Sequence, residues 1–99
     1  MAMYTIEVSQ SAIDDLSVLK KHEQKQILDE IFNQLTYEPT VETRNRKPLA
    51  ANNLSDWELR IANFRVFYSV EEIVRVVAIE AVGKKVHNQL FIRNKPYDL

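Results

Sequence analysis

Arg60 and Arg65 lie in the segment WELRIANFRVFYSV, residues 57–70, and its spacing brings them together. Trp57, Leu59 and Ile61 alternate with Glu58, Arg60 and Ala62. Beyond Asn63, Phe64, Val66, Tyr68 and Val70 alternate with Arg65, Phe67 and Ser69. Period-two alternation marks strands with one buried face. Ala62-Asn63 then reads as a two-residue hairpin connection, because Asn tolerates positive φ. Two guanidiniums on either side of one turn, each a planar fork of donors, suit a phosphate backbone. Neither arginine can serve as a base near neutrality, since arginine stays protonated up to about pH 12. Glu58 shares the face of Arg60. His87, in the polar run Lys84 to Gln89, is the nearby side chain of a type suited to general acid chemistry. Tyr97 in the tail is a further candidate. Arg44, Arg46 and Lys47 form a basic cluster that would extend a phosphate grip.

Each assignment has a plainer competitor. Arg65 could pair with Glu58 or Glu80 across a sheet. Glu58 could be the ion-pair partner of Arg60. Trp57, Phe64 and Tyr68 could stack on bases, but alternating aromatics more often fill a core. The cluster at 44–47 could be a solvated loop, and a lone surface histidine such as His87 is usually inert. His22 is given no role.

The elements that must position these residues follow from the same periodicities. Tyr4, Ile6 and Val8 alternate and predict a first strand. Ser9 and Ser11 are N-cap candidates, and Ser11 with Asp14 has capping-box spacing. Ala12, Ile13, Leu16 and Leu19 mark the apolar face of a short helix, and Lys20-Lys21-His22-Glu23 a polar connection. Ile27, Leu28, Ile31, Phe32 and Leu35 lie at helical spacing and predict a second helix. Pro39 ends that region, and residues 38–56 read as a long approach rich in Asn, Thr and Arg. Strands are predicted at 57–61, 64–70 and 74–82, with a short helix or extended segment after Gly83. The expected architecture is α+β, one small domain over residues 1–99. Its order is β-α-α-β-β-β, an antiparallel sheet with an αα-hairpin on one face.

Composition fits that size. The chain has 99 residues, 45% of them hydrophobic, enough for one core. It holds no cysteine, so neither a disulfide framework nor thiolate chemistry is available. No basic leader and no long apolar run opens the sequence, so a cytoplasmic protein without a membrane partner is expected. Net charge is −1. Its distribution is uneven: residues 1–39 carry seven acids and three bases, residues 40–99 seven acids and ten bases. The second part has the better claim to a polyanion.

The hairpin resembles that of the RelE/ParE family of bacterial toxin–antitoxin toxins. The family pattern reads here as Trp57, Leu59, Arg60 and Ile61, then Phe64-Arg65-Val66-Phe67-Tyr68. A later hydrophobic strand ends in Val82-Gly83 followed by Lys84-Lys85, and Lys47-Pro48-Leu49 with Leu54 leads into the hairpin. The resemblance covers nearly the whole chain. It implies a RelE-like domain acting as a ribosome-dependent mRNA endoribonuclease. No metal or small-molecule cofactor is expected, because the substrate's 2′-OH attacks the adjacent phosphate.

On that resemblance Arg65 matches the most constant arginine and would stabilise transition-state charge, while Arg60 would bind phosphate. Glu58 stands where some members place a lysine, and would be the base. Lys85 would contact phosphate, with Lys84 beside it. Phe91 falls where a catalytic tyrosine is common and cannot move a proton, which leaves His87. The implied partners are a cognate antitoxin protein and mRNA on the ribosome. Leu90-Phe91-Ile92 would be an exposed apolar patch, open to the antitoxin, unless it packs or is covered. The alternatives are a ParE-like toxin acting on DNA gyrase and a non-toxic homologue that only binds RNA or antitoxin.

Overall fold

The computed structural model describes residues 2–99. Strand β1 (Thr5–Val8) leads into helices α1 (Gln10–Ser17) and α2 (Lys21–Leu35). Six strands follow: β2 (Arg46–Pro48), β3 (Trp57–Ile61), β4 (Phe64–Glu71), β5 (Val76–Val86), β6 (Gln89–Ile92) and β7 (Lys95–Tyr97). Strands β2 to β7 pair in sequence order, each antiparallel to the next, while β1 pairs parallel to β5. The expected α+β order stands, with three short strands added. Among the described residues no helix is long and apolar enough to cross a membrane.

Ser9 is the residue that caps α1, its Oγ accepting from Ala12 N at 3.1 Å. The Ser11–Asp14 box does not form, because α1 begins one residue before Ser11 and Asp14 instead accepts from Gln10 Nε2 at 2.9 Å. The expected polar connection is shorter than its charges suggested. Lys21, His22 and Glu23 form the first turn of α2, where Glu23 Oε1 accepts from Lys20 N at 3.1 Å. A carboxylate there also favours the positive end of the helix dipole.

Ala12, Leu16, Ile27, Ile31 and Leu35 are buried against the sheet, together with Leu59, Val66, Tyr68, Val77 and Ile79. Ile13 and Phe32, expected on the apolar faces, are exposed. Trp57 stacks on Tyr68 with ring centroids 6.1 Å apart. A smaller cluster of Phe67, Ala81 and Leu90 lies apart from this core, covered by Leu49, Leu54, Ile92 and Tyr97. It forms where Phe67 pairs with Ala81 and Tyr68 with Ile79, which leaves Glu80 as an extra residue in β5.

The tail departs most from expectation. Strand β5 runs on to Val86, and two hairpins follow in place of a helix. Their turns, His87-Asn88 and Arg93-Asn94, have both residues at positive φ, the backbone that suits the twist of a two-residue hairpin. In the β3–β4 turn the positive φ falls on Ala62, at 51°, and not on Asn63. Arg65 Nη1 donates to Ala62 O at 2.9 Å and Lys85 N donates to Asn63 O at 2.7 Å, and these bonds hold the strained turn.

Candidate functional site

The helices cover one face of the sheet, and the site residues gather on the other. Arg60 and Arg65 are direct cross-strand partners. Arg60 N–H donates away from β4, to Asn45 O at 2.8 Å. The two arginines therefore form a pair without mutual backbone bonds, the kind with Cα atoms about 4.5 Å apart and side chains closest. Like charges so placed repel. Glu58 offsets this: its carboxylate takes Arg60 Nε at 2.9 Å and is itself buried. Arg65 turns its Nη1 back onto Phe64 O at 2.9 Å as well as onto the turn. Burial lowers the pKa of Arg65 from the usual arginine value; Glu58 opposes that shift and Arg60 adds to it.

Beside Arg65 on β5 stands Gly83, the chain's one glycine. A Cβ here would lie 2.8 Å from Leu90 Cδ1 and 2.8 Å from Phe91 O. Only hydrogen at this position lets Leu90 and the β6 backbone close against the strand next to the arginine. Lys85, two positions on, shares the face of Arg65 by alternation. Lys47 lies opposite Glu58 and reaches Glu42 at 3.6 Å. Tyr97 lies opposite Leu90, which lies opposite Lys85, so the phenol and the ammonium share this face two strands apart.

Other expected residues stand elsewhere. Lys84 sits with its ammonium 5.9 Å from the Phe64 ring, on the helix side, because alternation turns it away from Lys85. Arg46 is no phosphate grip. It is buried, donating to Val41 O at 2.9 Å, Gln34 O at 2.7 Å and Gln34 Oε1 at 3.2 Å, and so ties the loop to the end of α2. Arg44 is exposed before β2. His87 is exposed in the β5–β6 turn, four positions beyond Gly83. Trp57, Phe64 and Tyr68 belong to the core. Of the two outcomes left open for Leu90-Phe91-Ile92, the segment packs: Leu90 is buried and its neighbours half-buried. Among the described residues no three His, Cys, Asp or Glu side chains gather where they could hold a metal ion.

No family model and no curated protein matches the chain. Solved structures do. The toxin–antitoxin complex RelBE2 from Mycobacterium tuberculosis aligns with a TM-score of 0.75 at 25% identity, over 86% of this chain and 94% of that one. The archaeal RelE–RelB complex from Pyrococcus horikoshii aligns at 0.68 and 23% identity, over 86% and 98%. The intact E. coli RelBE complex aligns at 0.51 and 20%, over 85% and 99%. The chain has a RelE-like fold. The last two likenesses are of fold only.

One feature of this RelE-like chain escaped the sequence. Asp15 on α1 is fully buried and accepts from Val82 N at 3.0 Å and from Arg93 Nε at 2.7 Å. It fills the stretch of β5 edge between β1, which pairs up to Ile79, and β6, which pairs from Lys84. Arg93 also donates to Ser11 Oγ at 3.3 Å, which fastens the β6–β7 turn to the helix. Arg93 lies 78 residues from Asp15, beyond the reach of any local pattern.

Proposed function

We propose that this RelE-like protein is the toxin of a toxin–antitoxin pair and that it cleaves mRNA on the ribosome. The observation that carries the proposal is the Arg60–Arg65 pair, two arginines directly opposite each other across the β3–β4 hairpin, on the face the helices leave open. Such a pair fits a phosphate whose negative charge grows in the transition state. The 2′-OH attacks the adjacent phosphorus, an O–P bond forms to give a cyclic phosphate, and the P–O5′ bond breaks. The hydroxyl proton leaves to a base and the 5′-oxygen gains a proton from an acid.

Arg65 takes the developing charge, with Arg60 and Lys85 binding the flanking phosphate oxygens. Lys47 and Arg44 extend the track for the strand. Glu58 acts here by holding Arg60, since its carboxylate is already engaged and buried. Proton transfer falls to His87 and Tyr97, which flank Lys85 from the turn and from β7.

The test is inducible expression of the wild type and of Arg65→Ala in a bacterial host, followed by primer extension on a translated reporter mRNA. Growth arrest with in-frame cleavage is expected. Loss of one such charge-stabilising group lowers the rate by about 10²–10³-fold, with the variant's melting curve checked for folding. His87→Ala and Tyr97→Phe in the same assay identify the proton donor. Arrest with intact mRNA would move the case to a gyrase-directed toxin. No arrest would leave a binding protein, as Glu58's engagement by Arg60 and the phenylalanine at 91 would then explain.

A further inference from the structure

A cavity of about 240 Å³ opens between the β5–β6 turn and the end of β7. Its floor includes Leu90 and Tyr97, cross-strand partners on β6 and β7. Leu90 is buried, and Tyr97 packs on the cluster of Phe67 and Ala81, so the floor is held in place. Lys85 and Asp98 both line the cavity, yet neither joins an ion pair among the described residues. A free cation and a free carboxylate thus share one hollow without neutralising each other. Gln89 also lines it. Its Nε2 donates to Leu90 O at 3.0 Å and to Tyr97 O at 3.4 Å, which fixes the amide and leaves Oε1 as the atom open to a ligand. The cavity therefore offers a cation, a floor with one aromatic ring, and oxygen acceptors from Gln89 and Asp98.

We propose that this cavity seats one nucleobase of the RNA substrate and selects a base with an exocyclic amino group, taking cytosine over uracil. The inference rests on the nuclease reading above. Lys85 shares the face of Arg65, so a phosphate bound there brings its nucleotide to the mouth of the cavity. The base lies with its π face on Tyr97, as unstacked bases do on aromatic platforms. Its edge meets Gln89 Oε1 and the Asp98 carboxylate, which only accept, so that edge must donate. Cytosine and uracil have the same ring and nearly the same size. Cytosine presents an amino group where uracil presents a carbonyl oxygen. Uracil in this seat sets oxygen against oxygen and leaves the acceptors unpaired. The volume is below that of a drug-sized pocket and suits a single base. Asp98 and Gln89 are thus specificity residues and take no part in bond breaking.

The probes are CMP and UMP, titrated into the isotope-labelled intact protein while the amide shifts of residues 88–90 and 97–99 are followed by NMR. CMP should bind about tenfold more tightly than UMP, the scale of one good contact to a base edge. Asp98→Asn, close in shape, should erase that preference, and Asp98→Lys, which presents donors, should reverse it. Asp98 is exposed near the end of the chain, so neither change threatens the fold. In parallel the wild type and Asp98→Asn are expressed in cells and their cut sites mapped by primer extension. Growth arrest should persist in the variant, with cuts spreading to sites flanked by uracil. Equal binding of CMP and UMP by the wild type, or shifts confined to other residues, overturns the base seat whatever the cells show. Selective binding with identical cut sites in wild type and variant overturns its role in RNA cleavage and leaves the nuclease reading standing. Selective binding without cleavage by the wild type upholds the cavity as a nucleotide seat and removes the nuclease reading instead.

Discussion

Arg60 and Arg65 face each other where a sheet normally avoids like charges, and the surrounding residues show what that placement requires. Glu58 is buried beneath Arg60, and two backbone carbonyls hold Arg65. A surface arginine without a task has no need of such fixing, because it would turn its charge into water. Tyr68 illustrates the opposite use of a polar group. Its hydroxyl donates to Pro39 O at 2.7 Å inside the core, which pins the loop after α2 to the sheet. Burial pushes the Tyr68 pKa up from the ordinary tyrosine value, with Arg46 pulling it slightly back. The folded chain thus keeps this phenol protonated at a pH where the unfolded chain gives up the proton. The resulting stability is whole below about pH 10, the ordinary tyrosine value, and drains away above it. Tyr68→Phe should lower stability near neutrality by about 1 kcal/mol through the lost hydrogen bond. Its denaturation midpoint should also fall less than that of the wild type between pH 9 and 11. Parallel losses in the two proteins would show that Tyr68 does not control the alkaline limb.

At the scale of elements, the three central strands and both helices were legible, because each buries one face and repeats its apolar residues with the matching period. The β3–β4 hairpin is placed residue for residue where its alternation put it. The tail was not legible. Strands β6 and β7 have four and three residues, too few for a period to show, and their turns contain no glycine. Asn88 and Asn94, each second in a two-residue turn, were the available signal. The role of Arg46 was hidden for another reason. Its partners are main-chain oxygens and an amide, which no charge pattern reveals. Gly83 joins the legible strand to the illegible ribbon. Gly83→Ala would drive a methyl group against Phe91 O, a backbone atom that cannot rotate aside. A loss of roughly 1–3 kcal/mol is expected, typical of overpacking a closed site, with faster amide exchange over residues 89–97 as the ribbon lifts. A folded variant with unchanged exchange would mean that β6 is held by its other contacts alone.

Across the whole molecule, charge and architecture point the same way. The acids of residues 1–39 lie largely on β1 and the helices, while ten of the chain's thirteen bases follow residue 40. A net charge of −1 gives little long-range pull toward a polyanion, so the RNA binding proposed above would rest on the few cations fixed on the open face. Binding to a single strand releases counterions in proportion to the phosphates neutralised, with a slope of about −0.7 per contact in log K against log salt. Arg60, Arg65 and Lys85 together then give a slope of about −2 for a short single-stranded RNA. Arg60→Ala should make that slope shallower by about 0.7 as well as weaken binding. Lys84→Glu, on the helix side, should leave the slope unchanged. A slope that responds to Lys84 and not to Arg60 would place the RNA on the helix side, and the open face would then lose its claim to the substrate.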